Sequence, residues 1–313
     1  MSEARVSVVV PAYNAEAHLE RAVTSVLVQT LRPAQVVLVD DASTDGTLPL
    51  MQVLAARHPE IEVIALDENG GPGHARNRAF DVVTGDWVAV HDADDVISPG
   101  RIAAMVALGE QQAADVVLDN FVFVNATTGR HRPSRIPAGD GWEPVPLHAF
   151  LRGARAFNYA PTWTLLQPLI RRDLLDRRGV RYPTHTRHGE DFLFMVELYL
   201  AGARCVRLRQ PGYVYTERSG GVSATRTDYS GLVRQTAALL DDPRLAGDRR
   251  AVRLLRRRLA TLQCLEAERE GPVALGRRAL TNPGVAATMS RRAGRRALRI
   301  VRRPPPDPLP PLL

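Results

Sequence analysis

Four short apolar runs separated by amphipathic stretches of helical period dominate the first hundred residues of the chain. Residues 6–10, 36–39, 61–66 and 87–90 read as strands buried on both faces. The stretches 16–29, 48–57 and 74–83 read as helices. In the first of them Leu19, Ala22, Val23, Val26 and Leu27 recur at the spacing of one helix face. Strict alternation demands crossover connections, and so a mostly parallel α/β sheet covered by helices on both sides. Each strand ends in a polar cluster: Pro11-Ala12-Tyr13-Asn14, Asp40 to Gly46, Asn69 to Gly73, and His91 to Asp95. Ligands of open α/β sheets bind outside that strand edge, so the four clusters are expected to line one crevice.

Beyond residue 99 the pattern loosens. Residues 116–124 read as a strand pair or a bent strand, Gly139-Asp140-Gly141 as a turn, and 191–200 as a helix. From about residue 229 the chain reads as helical and Arg-rich, with breaks at Asp242-Pro243, Gly271-Pro272 and Asn282-Pro283-Gly284. Residues 304–313 are proline-dominated and are not assigned to a packed element.

Charge is divided unevenly along the chain. All 41 basic residues are Arg; residues 1–200 hold 18 of them against 25 acids, and residues 201–313 hold 23 against nine. Replacement of Lys by Arg follows from a GC-rich coding sequence whatever the function, so only the clustering calls for a physical account. In the back half Val252, Leu255, Leu259 and Leu262 keep helical spacing while Arg249, Arg250, Arg253, Arg256 and Arg257 fill much of the rest. Residues 291–303 repeat the theme. Such helices lie on anionic lipid or pack on a domain with their Arg face in water, and the sequence leaves both open for 249–303. Nucleic acid is disfavoured as a partner, because aromatic residues are only 5% and no stacking platform is visible.

Cys205 and Cys264 are too few for a disulfide framework and lack zinc-site spacing. No apolar run approaches the length of a membrane-spanning helix, and residues 1–5 do not resemble a secretory leader. The expected compartment is the cytoplasm, at the inner face of the cell membrane if the basic region meets lipid.

Several clusters could carry chemistry. Asp92-Ala93-Asp94-Asp95 places three carboxylates within four residues after a strand. Alternate carboxylates there can share Mg²⁺ or Mn²⁺ with substrate phosphates, or simply form a solvated loop. Asp41 can accept from a ribose hydroxyl or base N–H, or close an Asx turn. Gly70 to Gly73 is out of register with the dinucleotide fingerprint, since Arg76 stands where a glycine is required. Its backbone N–H groups could still approach a phosphate. Glu190-Asp191 suits either a helix N-terminus or a base that takes a proton from an attacking hydroxyl.

Together, Val6 to Asn14, Ser25 to Thr30, Val39 to Thr47, Ala75-Arg76-Asn77 and Asp92 to Asp95 closely resemble the family 2 glycosyltransferases, densely over about residues 5–100 and more thinly to Gly189-Glu190-Asp191. The resemblance implies a GT-A fold, with a Rossmann-like nucleotide-sugar-binding half (1–98) and an acceptor-binding and catalytic half (99–228); it stops at the basic back half, where the Arg-rich helical region (229–303) and the Pro-rich tail (304–313) follow. It also implies a nucleotide-sugar donor, usually a UDP-sugar, a divalent cation and inversion at the anomeric carbon. By the same resemblance Pro11, Ala12, Tyr13 and Asp41 hold base and ribose, with Asn14 and Glu16 shaping the pocket and Arg76 and Asn77 supporting it. Asp92, Ala93 and Asp94 belong to the nucleotide site, Asp94 and Asp95 are the metal ligands with Asp94 foremost because its neighbours can face the ribose and the sugar, Asp191 is the general base and Glu190 lies near the acceptor. Arg218, Ser219 and Ser223 belong to a loop that closes on the diphosphate. The Gln-x-x-Arg-Trp pattern of processive members is missing, so one sugar per encounter is expected, onto a glycan or lipid-linked acceptor of a bacterial polysaccharide or cell-envelope pathway. The alternatives are a sugar-phosphate nucleotidyltransferase, which calls for a basic, glycine-rich loop after the first strand where Pro11-Ala12-Tyr13-Asn14 stands, and a non-catalytic nucleotide-sugar-binding protein at the membrane.

Overall fold

The computed structural model describes residues 4–154, 163–186, 188–218 and 229–291. Its elements are, in chain order, β1 (Val6–Ala12), α1 (Glu16–Leu27), β2 (Gln35–Asp40), α2 (Thr47–Arg57), β3 (Ile61–Ala65), α3 (Pro72–Phe80) and β4 (Trp87–Val90). Then follow β5 (Val96–Ile97), α4 (Arg101–Gln111), β6 (Val116–Asn125), β7 (His131–Pro133), β8 (Trp142–Pro144), α5 (Leu147–Gly153), β9 (Leu169–Arg171) and α6 (Arg172–Asp176). The last are α7 (Glu190–Leu200), β10 (Cys205–Glu217), α8 (Tyr229–Leu240), α9 (Arg249–Glu270) and α10 (Pro272–Thr281).

The strands form one ten-stranded sheet with the order β3-β2-β1-β4-β9-β6-β10-β5, β7 and β8 adding at β6 and β10. The first four are mutually parallel. The chain moves outward from β1 to β3 and then returns to the other side of β1 for β4. That reversal is the topological switch at which a ligand crevice opens beyond the strand ends. Val8, Val9, Val10, Val36 to Val39 and Val88 are fully buried on both faces of this half, as their unbroken apolar runs require.

Two departures from the expected boundaries have local causes. Helix α3 starts at Pro72 rather than His74, because Gly71 adopts φ 85° and turns the chain so that Pro72 takes the first helical position, where its missing N–H is not needed. Residues 116–125 form one long strand, paired in parallel with β10 and antiparallel with β9 and β7. Strands β9 and β10 carry no clear strand signal in sequence. Strand β10 is interrupted by Pro211-Gly212, and its pairing with β6 shifts register on either side of Pro211, where the missing N–H breaks the ladder.

Helix α9 packs on the sheet domain beside α5, and α8 and α10 pack on α9. Helix α9 buries Ala251, Leu255, Leu262 and Leu265. Arg258 lies over the Phe192 ring at 3.7 Å, and Arg244 makes a two-pronged pair with Glu197 at 2.9 and 3.0 Å. Both contacts anchor this region to α7. For α9, therefore, the apolar stripe is core, and Arg249, Arg250, Arg253, Arg256 and Arg257 form its solvated face. No helix among the described residues is long and apolar enough to cross a membrane.

Candidate active site

The loops after β1 and β2 are fastened to each other. Asn14 and Ala42 both adopt left-handed backbone, at φ 50° and 58°, which turns the two loops sharply. Asn14 N–H donates to Ser43 Oγ (3.0 Å), and Asn14 Oδ1 accepts from the Thr44 N–H (2.8 Å). Glu16 Oε2 accepts from the Gly46 N–H at 3.0 Å, and Thr47 Oγ1 accepts from the Ala15 N–H at 2.8 Å. Asn14 and Glu16 thus tie the loop after β1 to the loop after β2. Pro11 and Ala12 are buried at the end of β1, while Tyr13, next in sequence, is 51% exposed.

Asp41 is buried, and its two oxygens accept from the N–H groups of Gly70 (2.9 Å) and Gly71 (2.8 Å). This corrects the expectation that those N–H groups approach a phosphate: they hold Asp41. A Cβ on Gly73 would sit 3.0 Å from the Pro183 carbonyl, so glycine serves close packing there. Asn77 is likewise committed, its Nδ2 donating to the Tyr182 carbonyl and its Oδ1 accepting from the Tyr182 N–H, both at 2.8 Å. It braces residue 182.

Arg76 is the hub. Only 3% exposed, it donates through Nη2 to Asp92 Oδ1 (2.8 Å) and through Nη1 to Asp191 Oδ1 (3.0 Å), with Glu190 Oε1 at 3.8 Å. Its guanidinium lies 4.9 Å from the Tyr182 ring centre, and that ring stacks on Phe194 at 3.8 Å. One buried cation therefore brings together carboxylates a hundred residues apart in sequence. Gly189, in left-handed backbone at φ 79°, starts α7 and leaves Asp191 in its first turn. Burial pushes the Asp191 carboxyl up to about 7, Arg76 opposing and the Glu190 and Asp92 charges adding to the rise. Glu190 is raised by burial too. A carboxylate with an affinity for protons near neutrality, a third of its side chain exposed, is suited to accept a proton from a hydroxyl.

The acid loop divides by role. Asp92 and Asp94 keep 24% and 27% of their side chains exposed. Asp94 pairs with Arg218, and its backbone carbonyl accepts from Arg21 Nη2 at 3.0 Å. Asp95, expected beside Asp94 as a metal ligand, faces inward instead. It is 1% exposed, and its oxygens accept from the Tyr213 hydroxyl (2.8 Å) and the Thr216 N–H (2.7 Å). It locks the loop to β10. Burial, with Asp92 and Asp94 alongside, pushes its carboxyl up to about 8. Among the described residues no three His, Cys, Asp or Glu side chains converge as a metal cage. The donor chemistry fits a hard cation held by Asp94 and completed by phosphate oxygens, the usual manner of Mg²⁺. Ser219 and Ser223 lie outside the described residues.

Gln167, Arg21, Tyr182 and Thr216 enter this site without a signal in the sequence. Arg21 resembles any polar-face residue of α1, and Gln167 is a lone amide in an irregular stretch.

A family model described as glycosyl transferase family 2 matches residues 7–194. Succinoglycan biosynthesis protein ExoO of Rhizobium meliloti (strain 1021) is 32% identical over 224 residues, which cover 70% of this chain and 62% of that protein. ExoU of the same organism, also a succinoglycan biosynthesis protein, is 32% identical over 254 residues, covering 79% and 72%. The match thus spans less than two thirds of the length of ExoO. Among solved structures, S. aureus TarS 1-349 in complex with UDP-GlcNAc superposes with a TM-score of 0.65 at 25% identity, over 82% of this chain and 71% of that one.

Proposed function

Since the chain belongs to glycosyl transferase family 2, we propose that this glycosyltransferase moves one sugar from a UDP-sugar to a hydroxyl of a cell-envelope polysaccharide or its lipid-linked precursor, with inversion. The observation that carries the reading is Arg76, which holds Asp92 of the acid loop and Asp191 of α7 on one guanidinium. The succinoglycan relatives support an envelope polysaccharide as product, and the UDP-GlcNAc held by TarS supports a uridine diphosphate donor.

Pro11, Ala12, Tyr13 and Asp41 bind base and ribose, and Asp92, Ala93 and Asp94 face the ribose and the sugar. The acceptor hydroxyl enters beside Glu190 and gives its proton to Asp191. Its oxygen attacks the anomeric carbon opposite the diphosphate, which leaves with the electron pair of the broken C–O bond, so the configuration inverts. Mn²⁺ or Mg²⁺ at Asp94 would supply charge neutralisation to that leaving group. Arg218 moves from Asp94 onto the diphosphate when donor binds, exchanging a carboxylate for phosphate oxygens.

The test is a donor panel with Mn²⁺ or Mg²⁺ and lipid-linked and soluble glycan acceptors, scored for release of nucleoside diphosphate. Release from a UDP-sugar that rises with acceptor is expected. Nucleotide binding without release from any donor would refute the assignment. In the same assay Arg218→Ala is expected to raise the donor KM roughly tenfold, the loss of one charge-assisted contact. An unchanged KM and turnover would remove the clamp.

The lipid-linked acceptor is favoured by α10. Its Val273 and Leu280 are 70% and 89% exposed, and Arg277 shares that exposed face two turns long. Residues 249–291 hold ten Arg and three acids, a charge excess complementary to anionic lipid. The full chain is expected to sediment with phosphatidylcholine vesicles containing phosphatidylglycerol and not with phosphatidylcholine alone. Leu280→Glu should cut the bound fraction roughly tenfold, the order expected for one Leu kept out of the acyl boundary. Equal sedimentation of this variant and the wild type would exclude α10 as the contact.

A further inference from the structure

Asp92 is held from both sides. Arg76 Nη2 donates to Oδ1 at 2.8 Å, and Gln167 Nε2 donates to Oδ2 at 2.6 Å. The Asp92 N–H is held as well, donating to the Tyr213 hydroxyl at 3.3 Å. With one donor on each oxygen, the plane of the carboxylate is set, and the remaining lone pairs point in fixed directions.

Gln167 owes its own position to a buried foundation. It is 4% exposed, and its backbone carbonyl accepts from Arg101 Nη2 at 2.7 Å. Arg101 is in turn locked to Asp119 by two bonds of 2.8 Å, with both side chains nearly inaccessible. The next residue, Pro168, has its carbonyl bonded by the Val90 N–H at 3.1 Å. Strand β9, inserted antiparallel between β4 and β6, thereby sets residue 167 opposite the start of the acid loop. The backbone that carries this side chain is thereby fixed, and the amide reaches Asp92 from a set origin.

We infer that Gln167 is a positioning residue, which aims the Asp92 carboxylate at the ribose and sugar of the donor; the inference rests on the donor-binding role of Asp92 proposed above. Arg76 cannot do this alone, since a single bond to Oδ1 leaves the carboxylate free to rotate about it, and Arg76 must also serve Asp191. The Gln167 amide, carried on that fixed backbone, supplies the second point of attachment.

The experiment is a thermodynamic cycle on nucleotide affinity. UDP and GDP are titrated calorimetrically into the wild type, Gln167→Met, Gln167→Glu, Asp92→Asn and the Gln167→Met/Asp92→Asn and Gln167→Glu/Asp92→Asn pairs. Gln167→Met removes the donor at similar volume, and Gln167→Glu replaces it with an isosteric acceptor that repels Asp92. Each Gln167 variant is expected to bind roughly tenfold more weakly, and Gln167→Met to add nothing once Asp92 is already Asn. A purely structural role for Gln167 would instead give losses that add in the pair, and that result, or wild-type affinity in both single variants, overturns the inference. If Gln167→Met fails to fold, the Gln167→Glu arm with its Asp92→Asn pair decides by the same criterion. Wild-type protein that binds neither nucleotide overturns the donor reading underneath, which is a different failure.

Discussion

Asp191→Asn should lower turnover by about 10²–10⁴-fold, the usual contribution of a positioned general base, while nucleotide affinity stays close to that of the wild type. The amide keeps the size of the side chain and an oxygen for Arg76, but it cannot take the acceptor proton. The pH dependence gives an independent check. The Asp191 carboxyl is pushed up to about 7, and only its deprotonated form is a base. Turnover should therefore rise as pH is raised through about 7 and fall about tenfold per unit below it. Glu190, Asp92 and Arg76 share this site, so the midpoint belongs to the cluster and not to one carboxyl. The variant should lose the acid limb along with the rate. Retention of both would assign the base elsewhere.

Asp119→Ala should produce the largest loss of stability among single changes near the site, about 3–5 kcal/mol, read as a lowered denaturant midpoint. Asp119 and Arg101 are 2% and 3% exposed and bond twice at 2.8 Å. Removing the acid leaves a guanidinium buried with, among the described residues, the Gln167 carbonyl and the Tyr213 ring, 5.1 Å away, as partners. Replacing both members with apolar residues, as in Arg101→Met/Asp119→Leu, should recover most of that loss, because no buried charge is left unpaired. Gly212 belongs to the same unit. A Cβ there would lie 2.7 Å from Asp119 Oδ2 and 2.9 Å from Arg101 Cγ, so the Pro211-Gly212 break in β10 makes room for the pair. Wild-type stability in Asp119→Ala would mean that the pair contributes nothing net, and that the double replacement should be neutral as well.

The parts of this molecule legible in sequence are those encoded by contiguous residues. The run Val36 to Val39 has to be buried on both faces, and Leu19, Val23 and Val26 have to share a helix face, wherever the rest of the chain goes. The gathering of Tyr13, Asp41 and Asp92 at one edge follows from the same alternation. Asp95 was harder to read. It differs from Asp94 only in register, and its inward turn depends on Tyr213 and Thr216, more than a hundred residues away. Gly70 and Gly71 present a similar limit, for glycine there is equally compatible with an exposed anion nest and with the backbone donors Asp41 takes.

By itself, the sequence determined the alternating α/β layout, the strand edge at which chemistry is placed, and the membership of the family. These depend on local periodicity and on motifs whose order survives without coordinates. Tertiary structure alone decided which acids are exposed and which are locked, that one Arg joins Asp92 to Asp191, and that Gln167 reaches the acid loop from just before an antiparallel strand with no strand signal. It also divided the basic back half, packing the apolar stripe of α9 into the core while leaving Val273 and Leu280 of α10 in the open. The physical reason is the same in each case: burial and pairing are properties of what lies opposite a side chain, and spacing along the chain carries no record of the opposite side.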